Sequence, residues 1–343
     1  MAKRIRVSDD AGATWWTLPG NTGEMRRELA TVNDTIFGQD YQSEDGSLGN
    51  WMITANAFIK GFAGYVAVLR QGGTPTAMVD EPMTLVSGQT YQITDTARRI
   101  LDYGAVVTVE DNAVDQTAEV VAIDYLNGTI TFDAGYVVTA PVTISGNYIP
   151  TIVLGRSRSF TLTQAAAEID TSDYETAQAN GGWRTYDPGL KTVRLELAGI
   201  YDASQALHAA LVARQLMYVD IQPYGATDTY FRGFFKRTNL GQSGDVGALE
   251  ERTLALNLFV PDGELVERPF GWYVGNASTL NTALKKCLAA WQNGTKLDIQ
   301  YLPDGVAGYT GDSIVTEITL ANDMAGLNEF RLTFRGDGTA ATV

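Results

Sequence analysis

Apolar residues in this chain recur mainly at alternate positions, in short runs separated by Gly, Asn, Asp and Ser. Alternation places every second side chain on one face, which predicts half-buried strands rather than helices. Leu254, Leu256 and Leu258 share a face in one run, and Phe330, Leu332 and Phe334 do so in another. Further strands are expected at 192–199 and 50–59. Two stretches depart from this rule. DASQALHAALVARQLMYVDIQPYG at 202–225 and NASTLNTALKKCLAAWQNGTKLDIQYLPDG at 276–305 each open on Asn or Asp followed by Ala-Ser. Each then follows a helical pattern and ends in a short strand, VDIQ or LDIQ. The side-chain oxygen of Asp202 or Asn276 is suited to cap the first turn.

These two stretches are the clearest part of an internal repeat. FRGFFKRTNLGQSGDVGALEERTLALNLF follows the first and GDSIVTEITLANDMAGLNEFRLTFRG the second, with the same layout of strand, polar connection and alternating strand. Upstream, AAAEIDTSDYETAQANGGWRTYDPGLKTVRLELAGIYD resembles ELATVNDTIFGQDYQSEDGSLGNWMITANAFIKGF, with Tyr174 or Tyr41 in a polar loop between two strands. One copy is complete at 151–274. The other begins at 1–65 and finds its helix and last strands only at 275–343, so it is expected to be discontinuous, with the rest inserted into it. The competing reading is that the two stretches share only a β-protein composition.

Residues 66–150 match neither copy and predict a small all-β inserted domain, with strands at QTYQIT, AVVTVED, AEVVAIDYL, GTITFD and PVTISGNYI. Asn127-Gly128 is read as a two-residue type I′ hairpin turn, and 147–150 as a linker. The expected fold class is therefore mainly β: two sandwich domains, each with a flanking helix, and the inserted domain.

With 45% hydrophobic and 19% charged residues among 343, the chain is not disordered and has room for several cores. Forty acidic against twenty-five basic residues give a net charge of -15, and the basic pairs Arg26-Arg27, Arg98-Arg99 and Lys236-Arg237 are dispersed. That pattern argues against tight phosphate binding. No window approaches the roughly 18 consecutive apolar residues of a spanning helix, so no membrane contact and assembly in the cytoplasm are expected.

Chemistry-bearing residues are few. His208 is the only histidine and Cys287 the only cysteine, so a general base, a disulfide and a zinc site are all poorly supported, and Cys287 reads as a small buried hydrophobe. Asp40, Glu44 and Asp45 beside Gly46 lack the spacing of a calcium loop. Gly181-Gly182 precedes Trp183, not a phosphate-binding helix, and reads as a turn with an aromatic anchor. No catalytic, cofactor-binding or metal-binding residue is assigned, and an enzyme is the least favoured class.

The run TLTQAAAEIDTSDYETAQANGGWRTYDPGLKTVRLELAGIY at 161–201 resembles the opening strand, long loop and second strand of the major tail tube proteins of long-tailed, siphovirus-type bacteriophages. LDIQYLPDGVAGYTGDSIVTEITL and FRLTFRGDGT are similar to that family's usual finish. The resemblance implies sandwich domains flanked by a helix, joined by their sheets into rings around a lumen and stacked through the long loops, here 40–50 and 174–188. Two domains per chain lead to the expectation of a homotrimeric, pseudo-hexameric ring in the virion tail. The implied partners are the chain itself, tail terminator and distal tail proteins, and the tape measure protein and DNA in the lumen without tight binding. The alternatives are a tail terminator or distal tail component, present in fewer copies, or a virion β-protein binding host-surface glycans through 66–150.

Overall fold

The structure, a computed structural model, describes residues 3–20, 22–33, 44–58, 65–157, 159–173, 183–200, 209, 216–223, 230–243, 251–259, 270–273, 280–322 and 329–343. It is mainly β and divides into two compact units. Met1–Tyr65, Ser159–Leu195 and Val274–Val343 form one; Val66–Arg158 and Glu196–Tyr273 form the other.

The first unit contains β1 (Arg4–Ser8), β2 (Trp16–Thr17), β3 (Thr22–Asn33), β4 (Glu44–Phe58), β14 (Ser159–Asp170), most of β15 (Tyr186–Ile200), the helix α1 (Thr282–Asn293), β20 (Leu297–Leu302), β21 (Tyr309–Asn322) and β22 (Glu329–Thr342). Its strands run β22-β21-β20-β1-β2, with β4 and then β3 beyond β22. Period-2 burial is clear in β22, where Phe330, Leu332 and Phe334 are fully buried. The largest side chain in this core is Trp51, whose Nε1 donates to Gly338 O at 2.8 Å. It leaves no room opposite: a Cβ on Gly336 would lie 2.0 Å from the indole.

α1 packs on β21 and β1 through Leu284, Cys287, Leu288 and Trp291. Its cap is Asn281, whose side chain accepts from Ala283 N at 2.8 Å, and Gly294 ends it at φ +71. Asn276, the cap expected from the sequence, lies outside the described residues. Of the matching helix expected after Asp202, only Ala209 is among the described residues, and it is helical.

In the second unit, β5 (Tyr65–Gly72), β13 (Thr151–Ser157), β16 (Met217–Pro223), β17 (Tyr230–Ser243) and β18 (Glu251–Leu258) run in the order β18-β17-β16-β5-β13, and β19 (Phe270–Tyr273) pairs with β17. This repeats β22-β21-β20-β1-β2 strand for strand. Thr238 in β17 and Thr316 in β21 each interrupt the register at the same place, so that Leu240 opposite Leu254 corresponds to Ile318 opposite Leu332.

The repeat places two boundaries differently from the sequence expectation. The β5–β13 hairpin occupies the position of β1–β2, so 66–72 belong to the second copy and not to the inserted domain. The guest hangs from the tip of that hairpin, where Gly73 N donates to Pro150 O at 2.7 Å. In addition, Ser159–Leu195 packs with the first unit and not with the remainder of 151–274.

The guest is a seven-stranded sheet, β10-β11-β7-β6-β12-β8-β9, built from β6 (Thr76–Ser87), β7 (Thr90–Ile93), β8 (Thr108–Asp111), β9 (Val114–Asp115), β10 (Val120–Asp124), β11 (Thr129–Phe132) and β12 (Val142–Tyr148). Ile93, Leu101, Val109, Ile130, Phe132 and Ile144 fill its core. Asn127-Gly128 is not a two-residue turn. Asp124 pairs with Thr129 across a four-residue loop, and the Asp124 carboxylate accepts from Leu126 N and Asn127 N. Only Gly128 is left-handed, at φ +58, and a Cβ there would meet Arg99 O at 2.8 Å. The guest is also docked: Ile100, Leu126 and Ile149 bury themselves against Tyr218 and Phe234.

Candidate assembly interface

Main-chain edges are the most distinctive chemical feature of the described residues. β21 pairs with β22 along one side. On the other side its first part pairs with β20, through Tyr309 to Ser313, and its last part with β14, through Glu317 to Asn322. β14 comes from the second sequence copy, so strand β21 of one copy is extended by a hairpin of the other. The inward side chains at this seam are apolar or fully buried: Phe160, Leu162 and Gln164 from β14, Ile318 and Leu320 from β21. Leu162 lies opposite Leu320 and Gln164 opposite Ile318.

The hairpin is locked at its base. Arg184 donates to the Asp170 carboxylate at 2.8 Å, Thr171 N bonds Thr185 O, and Arg184 N reaches Gly49 O beside a parallel bridge between Gly49 and Trp183. Trp183 and Tyr309 both receive Arg27, whose guanidinium sits 3.8 Å from the Tyr309 ring centre. Two apolar side chains next to this base are solvent-facing, Ile169 at 51% and Leu190 at 88% exposure.

β3 has the same length as β14, twelve residues. Its inward positions pair with buried residues of β4, Met25 opposite Ile53 and Arg27 opposite Trp51. The outward face of β3, β4, β22 and β21 forms a groove of about 610 Å³ lined by Glu24, Arg26, Thr54, Asn56, Glu329 and Arg331 among others. Acidic and basic side chains are balanced there.

Of the polar loops expected to mediate contacts, 34–43 and 174–182 lie outside the described residues, as do His208, Asp40 and Gly181-Gly182. Glu44, Asp45 and Gly46, read from the sequence as loop, belong to β4, where they pair with Asn33, Val32 and Thr31. Cys287 is fully buried and its thiol pKa is pushed far up by desolvation. Among the described residues no group of three or more His, Cys, Asp or Glu could hold a metal ion, and no helix is long and apolar enough to cross a membrane.

Three carboxylates do converge. Asp298 of β20 faces Asp312 of β21, with Asp10 nearby, and Asp298 is raised to about 6 by burial, by its hydrogen bond to Asp312 and by the two negative neighbours. In the second unit the matching aspartate, Asp220, instead lies between two guanidinium groups, Arg70 Nε at 3.1 Å and Arg232 Nε at 2.5 Å. Neither pattern was visible in the sequence, where both positions read only as the Asp of LDIQ and VDIQ.

No family model matches the chain, and no curated protein matches it.

Proposed function

We propose that this chain is the major tail tube subunit of a long-tailed bacteriophage, a structural protein whose rings stack into the conduit for genome ejection. The observation that carries the reading is the β14–β21 seam. It joins one sequence copy to the other through main-chain hydrogen bonds and a buried apolar face, a joint that can be repeated around a ring without further chemistry.

Two copies per chain and six sandwich domains per ring give a homotrimer with pseudo-sixfold symmetry. Covalent linkage of the copies makes half the joints intramolecular, which lowers the entropy cost of closing the ring. The outward groove of β3, β4, β22 and β21 suits a lumen wall: mixed Glu and Arg side chains neither grip nor strongly repel a sliding polyanion. Exposed Ile169 and Leu190, at the foot of the 174–182 loop, suit ring-to-ring contact.

Cryo-electron microscopy of the purified, concentrated protein tests this directly. Hollow tubes with threefold rings and two alternating domain types per ring are the expected result. Six identical chains per ring would overturn the trimer, and discrete monomers at every concentration would overturn the tube.

A further inference from the structure

We infer that one chain joins the next through a specific strand pair: the outer edge of β3 of one copy adds to the last part of β17, residues 239–243, of a second copy. In β21 the segment from Glu317 to Asn322 carries β14 on the side away from β22. The corresponding segment of β17 pairs with β18 on one side through Asn239 to Ser243, while β16 takes the other side only as far as Phe235. Among the described residues no strand covers that second side beyond Phe235.

β3 is the strand that matches. It equals β14 in length, it pairs with β4 on one side, and no strand among the described residues covers its other side. Its inward residues fall in step with those of β14: Gly23, Met25 and Arg27 stand where Phe160, Leu162 and Gln164 do. Transferring the β14–β21 register through the aligned bulges at Thr238 and Thr316 puts Glu24 opposite Ser243, Met25 opposite Gln242, Arg26 opposite Gly241 and Arg27 opposite Leu240.

The contact is head-to-tail, since β3 and β17 are different surfaces, and it closes only when a ring is complete. Its occupant is a second copy of this chain because only this chain supplies both edges in matching register. The sequence of β3 suits an edge that must wait in solution. Glu24, Arg26, Arg27 and Glu28 place charge along it, which discourages pairing with unrelated strands.

Cysteine cross-linking tests the register. One batch of full chain carries Glu24→Cys and another Ser243→Cys; the native Cys287 is fully buried and stays silent. Mixed before assembly and then oxidised or treated with a short bifunctional maleimide, the two should give a covalent dimer that neither gives alone. Arg26→Cys with Gly241→Cys should behave alike, and Glu24→Cys with Lys236→Cys, seven positions off register, should not react. Met25→Asp should lower the melting point of the dilute chain only slightly and abolish association.

Assemblies that form without either in-register cross-link, cross-links that favour the Lys236 position, or a chain that does not self-associate would each overturn the inference. The tail tube reading fails separately. Cross-linked chains that build no stacked tubes would sink that reading and leave the seam standing, whereas tubes lacking both cross-links would do the reverse.

Discussion

Asp220 and Asp298 occupy the same place in two copies of one framework and sit in opposite electrical surroundings. Asp220, in the VDIQ of β16, lies opposite Arg232 and also holds Arg70 of β5; Arg232 goes on to donate to Leu126 O and Asn127 Oδ1 of the guest. Asp298, in the LDIQ of β20, lies opposite Asp312 and near Asp10 of the short β1–β2 connection. The backbone was copied and the electrostatics were not. Where the hairpin tip carries a seven-stranded guest, the aspartate serves as the centre of a clamp that fastens the guest's turn to the sheet. Where the tip carries only a short loop, the same aspartate faces other carboxylates, and its pKa is raised.

The sharpest way to break that contrast is to remove each carboxylate in turn. Asp220→Ala leaves two guanidinium groups facing each other in a site where the carboxylate is 5% exposed, and should cost about 3 kcal/mol, as loss of one member of a buried ion cluster does. Asp298→Ala at neutral pH removes a repulsion and should cost nothing or stabilise slightly. Urea unfolding of both variants decides the matter, and equal losses would mean that the two aspartates do the same work.

The seams give the second contrast. Leu162→Ala opens a cavity under the closed β14–β21 seam and should cost about 2 to 5 kcal/mol in the dilute chain. Met25→Ala, at the matching position of the open edge, should cost less than about 1 kcal/mol before assembly, because its side chain is only half-buried there. A similar loss at both positions would mean that β3 is already covered in the single chain. A third, smaller effect concerns Trp51. Gly336→Ala forces the indole or β22 to move and should cost about 1 to 3 kcal/mol, with Trp51→Leu in the same chain restoring most of it.

How far the sequence carried these conclusions varied with the physics involved. Alternation marked β18 and β22 because each buries one face, and the VDIQ strand, buried throughout from Met217 to Ile221, was placed by its match to LDIQ. β6 was missed. Asp80 at φ +49 forms an irregularity that lets Pro82 stay in register with Thr143, and no local pattern reports that. The boundary at β5 was misplaced because Val66, Ala67, Val68 and Leu69 are all buried, the mark of a strand covered on both faces, which alternation cannot reveal. Pairing of β14 with β21 lies beyond any periodicity. It joins residues more than a hundred positions apart, and only the third dimension brings Leu162 to Leu320.

The smallest expected effect follows from the raised pKa of Asp298. Asp298 has its folded pKa raised to about 6 from an ordinary 3.8, so the native state holds a proton that the unfolded chain gives up first. Between those values the native state binds more protons than the unfolded one, and stability must fall as pH rises through that window, becoming level above it. The observable is one step near pH 6. Partial exposure and salt reduce the effect to the order of 1 kcal/mol. Asp298→Asn keeps a hydrogen-bond donor toward Asp312 at every pH and should abolish the step, leaving the variant more stable than the parent above pH 6 and equal to it near pH 4. Melting temperatures measured from pH 4 to pH 8 at fixed ionic strength read this out. Asp220→Asn provides the contrast: it should lower stability without removing the step, because the ion cluster it weakens does not include Asp298. A step that disappears with Asp220→Asn and survives Asp298→Asn would reverse the assignment of the two aspartates.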